Sequence, residues 1–193
     1  MDLFDAGNIV QNALDSGRIE EGRTRLDAWQ ALQPVTRETL RELRYYRPLL
    51  GQYAEAIVAA KAMIQLQPPH EWERMCDQLR LGELYLAIGA IDDAWAALAV
   101  VLDWPALPDN YSVGLARSTV ELAFDISIAA SAHEALADKA FKSGVQLLDS
   151  GCSTSFNLFK KGRDCAKRLN RRKLRKRFER ALIEERKRHS LLD

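Results

Sequence analysis

The chain lacks the short patterns that usually announce chemistry. Its three histidines, His70, His133 and His189, are scattered, with no HExxH and no second ligand at metal spacing. A zinc site needs several donors converging on one point, so neither a metal nor a cofactor is expected. The three cysteines, Cys76, Cys152 and Cys165, form no CxxC pair. An odd count without that spacing argues against both a disulfide framework and a zinc site, and leaves reduced thiols, mostly buried. Cys152, in a polar turn near Lys160 and Lys161, reads as incidental. No glycine-rich phosphate loop and no nucleophile elbow occurs. Asp92-Asp93 and Glu184-Glu185 are read as helix-terminal, solvated pairs rather than catalytic dyads. No catalytic residue can be named, and the chain is read as a non-enzyme.

Long apolar runs are missing as well. No stretch of about 18 apolar residues exists, so nothing is expected to span a membrane. The opening MDLFDAGNIV is acidic where a signal peptide is basic, and cytoplasmic residence is the default expectation. What remains is ordinary for a soluble globular protein of 193 residues: 47% apolar, 28% charged. The net charge of +1 conceals an asymmetry. Residues 1–159 carry 13 Lys/Arg against 22 Asp/Glu, whereas residues 160–189 carry 15 against 4. An acidic body precedes a basic arm.

The strongest positive feature is a recurrence. Gly17 and Gly51 lie 34 residues apart, Gly51 and Gly89 38 apart, and each is followed five residues later by a small residue, Gly22, Ala56 or Ala94. Prolines close the units, at Pro34, at Pro68 and around Pro105 and Pro108. Such a period, with helical apolar spacing, predicts a stack of helix pairs. In the third unit Leu81 and Tyr85 share a helical face, Gly82 admits a close neighbour, Gly89 turns the chain, and Ala94, Leu98 and Val101 are buried by the second helix. In the second, Thr36 is the expected N-cap, Leu40, Leu43 and Leu50 face inward, and Ala56, Ala60 and Met63 follow after Gly51. In the first, Ile9 and Ala13 precede Gly17, Ile19, Gly22, Leu26 and Trp29. Residues 109–149 read as a fourth pair, with Phe124 and Ile128 facing Ala137 and Phe141. The turn-rich segment 149–155 marks a boundary, dividing residues 1–149, a helical repeat domain, from 150–193, a basic helical cap. In the cap, Phe156, Phe159, Ala166 and Leu169 line one helix. Leu174, Phe178, Ala181 and Leu182 line another, with Asn170 as the break.

Leu81-Gly82 with Tyr85, then Gly89 and Ala94, together with the turn glycines and closing prolines, resembles the tetratricopeptide repeat (TPR) family across residues 6–105, and more weakly to 149. A HEAT-like or other helical-pair solenoid is the competing assignment. The resemblance implies an all-α, right-handed solenoid of about four helix pairs with a basic C-terminal capping helix. Arg44 and Arg47 depart from it, standing where the family has a small and an aromatic residue, and Tyr46 turns inward if the helix is shifted by one position. The family also implies a groove lined by the first helix of each pair. Carried over, its positions are Phe4, Gln11 and Leu14, then Glu38, Arg41 and Tyr45, then Leu79, Glu83 and Leu86. The Lys/Asn set with which some members clamp a C-terminal carboxylate is absent from them. Tyr and Arg are the usual interface anchors, which singles out Tyr45 and Arg41.

The expected function is therefore a protein-interaction adaptor that takes a partner's peptide or helix. Two alternatives come from the basic arm, densest at Arg171, Arg172, Lys173, Arg175, Lys176 and Arg177. One is salt-sensitive nucleic-acid binding. The other is self-association, the arm docking on an acidic solenoid. Phe178 is the lone aromatic in that run, and its spacing with Leu174 and Leu182 suits a core position better than base stacking.

Overall fold

The computed structural model of the chain describes residues 4–66, 71–103, 110–130, 134–149 and 156–189. All secondary structure among them is helical: α1 (Phe4–Ser16), α2 (Ile19–Ala31), α3 (Arg37–Tyr46), a short 3-10 turn (Arg47–Leu50), α4 (Tyr53–Gln65), α5 (Glu71–Ala87), α6 (Ile91–Leu102), α7 (Asn110–Ala129), α8 (Glu134–Asp149), α9 (Phe156–Arg168) and α10 (Arg172–His189). Two compact units divide these helices, Met1–Ile88 and Gly89–Asp193.

Local chemistry sets the helix ends. Gly17, Gly51 and Gly89 have φ of 68°, 75° and 75°, in the left-handed region where a side chain is strained and glycine is not. After Gly17 and Gly51 the next amide donates to a carbonyl five residues back, Arg18 to Ala13 at 3.0 Å and Gln52 to Arg47 at 2.9 Å. That is the hydrogen bond that seals a helix C-terminus. Asn170 takes the glycine's place between α9 and α10 with φ of 54°, and Arg171 donates to Ala166 at 2.8 Å. Thr36 caps α3, its hydroxyl oxygen accepting from the Thr39 amide at 3.2 Å. Pro48 turns the end of α3 into the 3-10 segment. Pro68, Pro69, Pro105 and Pro108 lie outside the described residues.

In the first unit, α1 packs on α2, α3 on α4, and α4 on α5. Ala6, Val10, Ala13, Leu26, Trp29, Leu40, Leu43, Leu50, Ala59 and Met63 form a continuous core. Gly22 belongs to it for a steric reason: a methyl group there would overlap the Cβ of Ala13. Close approach of α2 to α1 thus offsets the roughly 1 kcal/mol of helix propensity that glycine gives up. Tyr46 does point inward, packing against this core with its hydroxyl beside Gly7, where a Cβ would lie 2.7 Å away.

The second unit centres on α7, which packs against α6, α8 and α9, while α9 pairs with α10. Trp95, Leu98, Phe124, Ile126, Leu158 and Phe178 are fully buried. Phe178 meets Phe124 edge-on at 5.8 Å and Phe141 at 6.4 Å, so it is a core residue, as its spacing predicts. Phe156 corrects the expected inner face of α9. It is exposed at the helix's first position, its ring covered on one side by the Arg186 guanidinium at 5.5 Å.

Candidate functional site

The departures at Arg44 and Arg47 organise the first unit. Arg47 is only 4% exposed, yet its charge is met by Asp27 Oδ1 at 2.8 Å, by Gln52 Oε1 at 3.0 Å and by the Gln30 side chain. A buried guanidinium is tolerated when its donors are satisfied. Arg44 reaches across to α5, placing Nη1 2.5 Å from Asp77 Oδ1. Arg37 places Nη2 2.7 Å from Asp77 Oδ2 and 3.4 Å from Glu73. Asp77 is itself 3% exposed, so one buried carboxylate gathers two arginines from α3. The residue was not singled out from sequence, although the signal existed. Asp77 stands four residues before Leu81 on the apolar side of α5, while Arg44, standing where the family has a small residue, lacked a partner.

These contacts hold α3 between its neighbours, Tyr46 touching α1 and the arginines gripping α5. The side of α3 left over carries Glu38, Arg41 and Tyr45, all exposed at three- and four-residue spacing. Tyr45 is 57% exposed and rests edge-on against Tyr46, with ring centroids 5.0 Å apart. On α1, Gln11 is exposed and bonds to Asp15 at 2.7 Å; Leu14 is exposed too, and the Phe4 side chain lies outside those described. On α5, Glu83 is half-buried and paired with Arg80 at 2.6 Å, and Leu86 is half-buried. Leu79 needs correction. It is buried, as is Met75 four residues before it on the same face of α5, because that face packs into the core, and its side chain is not open to a partner.

The basic arm is divided by its surroundings. Arg171 Nη2 lies 3.1 Å from Asp138 on α8, Arg177 pairs with Asp149 at the end of α8, and Arg175 pairs within α10 with Glu179 at 3.3 Å. Lys161 on α9 sits 2.5 Å from Asp125 of α7. Arg172, Lys173 and Lys176 are exposed instead.

Neither described thiol is poised for reaction. Cys165 is fully buried, and burial pushes it from 9.0 up to about 11 against the opposing Ser127 hydrogen bond. Cys76 also rises to about 11, through burial first and then the neighbouring Asp77 charge. Cys152 lies outside the described residues. A raised thiol pKa means the fold favours the protonated form. Its contribution is complete below pH 9, and it is lost as pH climbs from 9 towards 11 and the unfolded chain alone ionises. The urea midpoint should therefore fall across that window, with Tyr46, raised mainly by burial, adding in the same direction. A midpoint that climbs would contradict this assignment. Alkylation of Cys165 at pH 8 should also run at least about tenfold slower in the folded chain than in urea.

No family model and no curated protein matches the chain. Among solved structures it is similar to a crystal structure described as kinesin light chain nearly identical TPR-like repeats, from Podosopora anserina. The likeness has a TM-score of 0.61 and covers 95% of this chain and 92% of that one, at 16% sequence identity. At that identity the likeness is one of fold. The chain is all-α among its described residues and TPR-like in fold, as the glycine recurrence and Leu81-Gly82 with Tyr85 lead one to expect. No helix among the described residues is long and apolar enough to cross a membrane.

Proposed function

We propose that the chain is a protein-interaction module working in the cytoplasm without catalysis, and that the exposed side of α3 receives a peptide or helix of its partner. One observation carries this reading: Tyr45 projects into solvent while its neighbour Tyr46, packed into the core, holds it edge-on. An aromatic anchor fixed in place before binding loses little entropy on association. Arg41 and Glu38 flank it with opposite charges that set orientation and discriminate among partners. Gln11 on α1 and Glu83 and Leu86 on α5 complete the proposed set of contacts.

Replacing Tyr45 with Ala and reversing the charge of Arg41 should lower affinity for an affinity-purified partner by roughly 10- to 100-fold, the range of a hot-spot loss. Helicity should stay intact, since both residues are exposed. Full recovery of the partner by the double variant would dismiss the site. Self-association through the arm draws less support, because Lys161, Arg171 and Arg177 already spend their charge on acids of the same chain.

A further inference from the structure

The basic arm presents one face that internal pairing leaves alone. Arg172, Lys176 and Arg180 follow one another at four-residue spacing on α10, with Lys173 beside them, and all four are exposed. Along a helix that spacing stacks side chains on one side and repeats about every 6 Å. The opposite side of α10 is the one that buries Phe178, Ala181 and Leu182. No acidic residue occupies the first turn of α10, so Arg172 and Lys173 stand at the positive end of the helix dipole, and Lys176 repels both Arg172 and Arg180 at four-residue spacing. An arrangement that is locally unfavourable is relieved by a line of negative charge.

We propose that this stripe, and not the contiguous run Arg171–Arg177, is a docking surface for the phosphate backbone of a nucleic-acid duplex. Charge complementarity selects the occupant. Protein interfaces use arginine too, but they set it among aromatic and aliphatic anchors and are poor in lysine. The stripe presents cationic heads with Ile183 as its one large apolar neighbour. A duplex offers a rigid, regular row of phosphates that meets several cations at once, whereas an acidic polypeptide must order its own carboxylates first. Phe178, the one aromatic of α10, is buried, so the stripe itself has no aromatic platform for stacking unpaired bases. Recognition is by backbone, without sequence preference.

The test is titration of the full chain into a labelled duplex of about 20 base pairs across a salt series. Four phosphate contacts predict that log K falls against log salt with a slope of about −3 to −4. The triple variant R172Q/K176Q/R180Q should lose about three from that slope and bind at least about a hundredfold more weakly at low salt. Arg175→Gln and Arg177→Gln, whose guanidiniums already face Glu179 and Asp149, should leave the slope unchanged. Circular dichroism should show full helicity in every variant. The proposal is overturned by absence of binding at low salt, by equal losses in the paired-arginine variants, or by polyglutamate binding as tightly as the duplex.

Discussion

Asp77→Ala is expected to destabilise the first unit by about 3 kcal/mol, the low end of what breaking a buried ion pair costs. The carboxylate is 3% exposed and bonds to Arg44 and Arg37 with separate oxygens. Its removal strands the Arg44 guanidinium between α3 and α5 and leaves Arg37 with Glu73 alone. The penalty stays below the upper range because Arg37 keeps Glu73 within 3.4 Å and a quarter of its side chain in solvent. Hydrogen exchange supplies the measurement: amides of α3 and α5 should lose protection while those of α9 and α10 keep it. Two further variants separate charge from packing. Arg44→Met alone should cost less than Asp77→Ala, since Arg37 still neutralises the acid. Arg44→Met with Asp77→Leu should recover part of the loss, because apolar residues replace the pair without leaving a bare charge. A cost under about 1 kcal/mol for Asp77→Ala would mean that water reaches the carboxylate and that the bridge is ornamental. The consequence is functional as well as structural, since this bridge fixes the rotation of α3 and hence the direction in which Tyr45 and Arg41 point.

The second large effect is expected at Phe178. Its ring is fully buried, meets Phe124 edge-on at 5.8 Å and lies flush on Gly162, where a Cβ would come within 2.7–2.9 Å of three ring carbons. Phe178→Ala should cost about 3–5 kcal/mol, combining lost transfer energy with the cavity left behind. Gly162→Ala alone should cost about 1–3 kcal/mol by overpacking, although alanine is the better helix former. The informative result is their combination. With the ring gone the added methyl enters the cavity, so the double variant should be more stable than Phe178→Ala alone. Simple summation of the two costs, read from urea midpoints at unchanged m-value, would show that ring and glycine do not share the space.

Residue types with short reach were legible. Gly17, Gly51 and Gly89 take left-handed backbone where the recurrence placed the turns, Thr36 caps α3, and Asn170 breaks the last pair of helices. Each of these outcomes depends on atoms within about five residues, so spacing along the chain is enough to forecast it. Leu79, Phe156 and the arginines of the arm were misjudged or unresolved because their surroundings come from other helices. Leu79 has the spacing of a groove residue and ends in the core. Half of a run that reads as one basic block is neutralised by Asp138, Asp149 and Glu179.

By itself the amino-acid order determined that this protein would be built of paired helices with glycine turns, that Leu40, Leu43, Leu98 and Phe178 would be hidden, and that positive charge would gather at one end. Helical period and backbone sterics act locally and leave little choice. Only the folded chain decided that Asp77 binds both Arg37 and Arg44, that Tyr46 supports Tyr45, and that Arg172, Lys173, Lys176 and Arg180 lie exposed on one side of α10. Those outcomes turn on the rotation of one helix against another, which is set by packing between residues tens of positions apart.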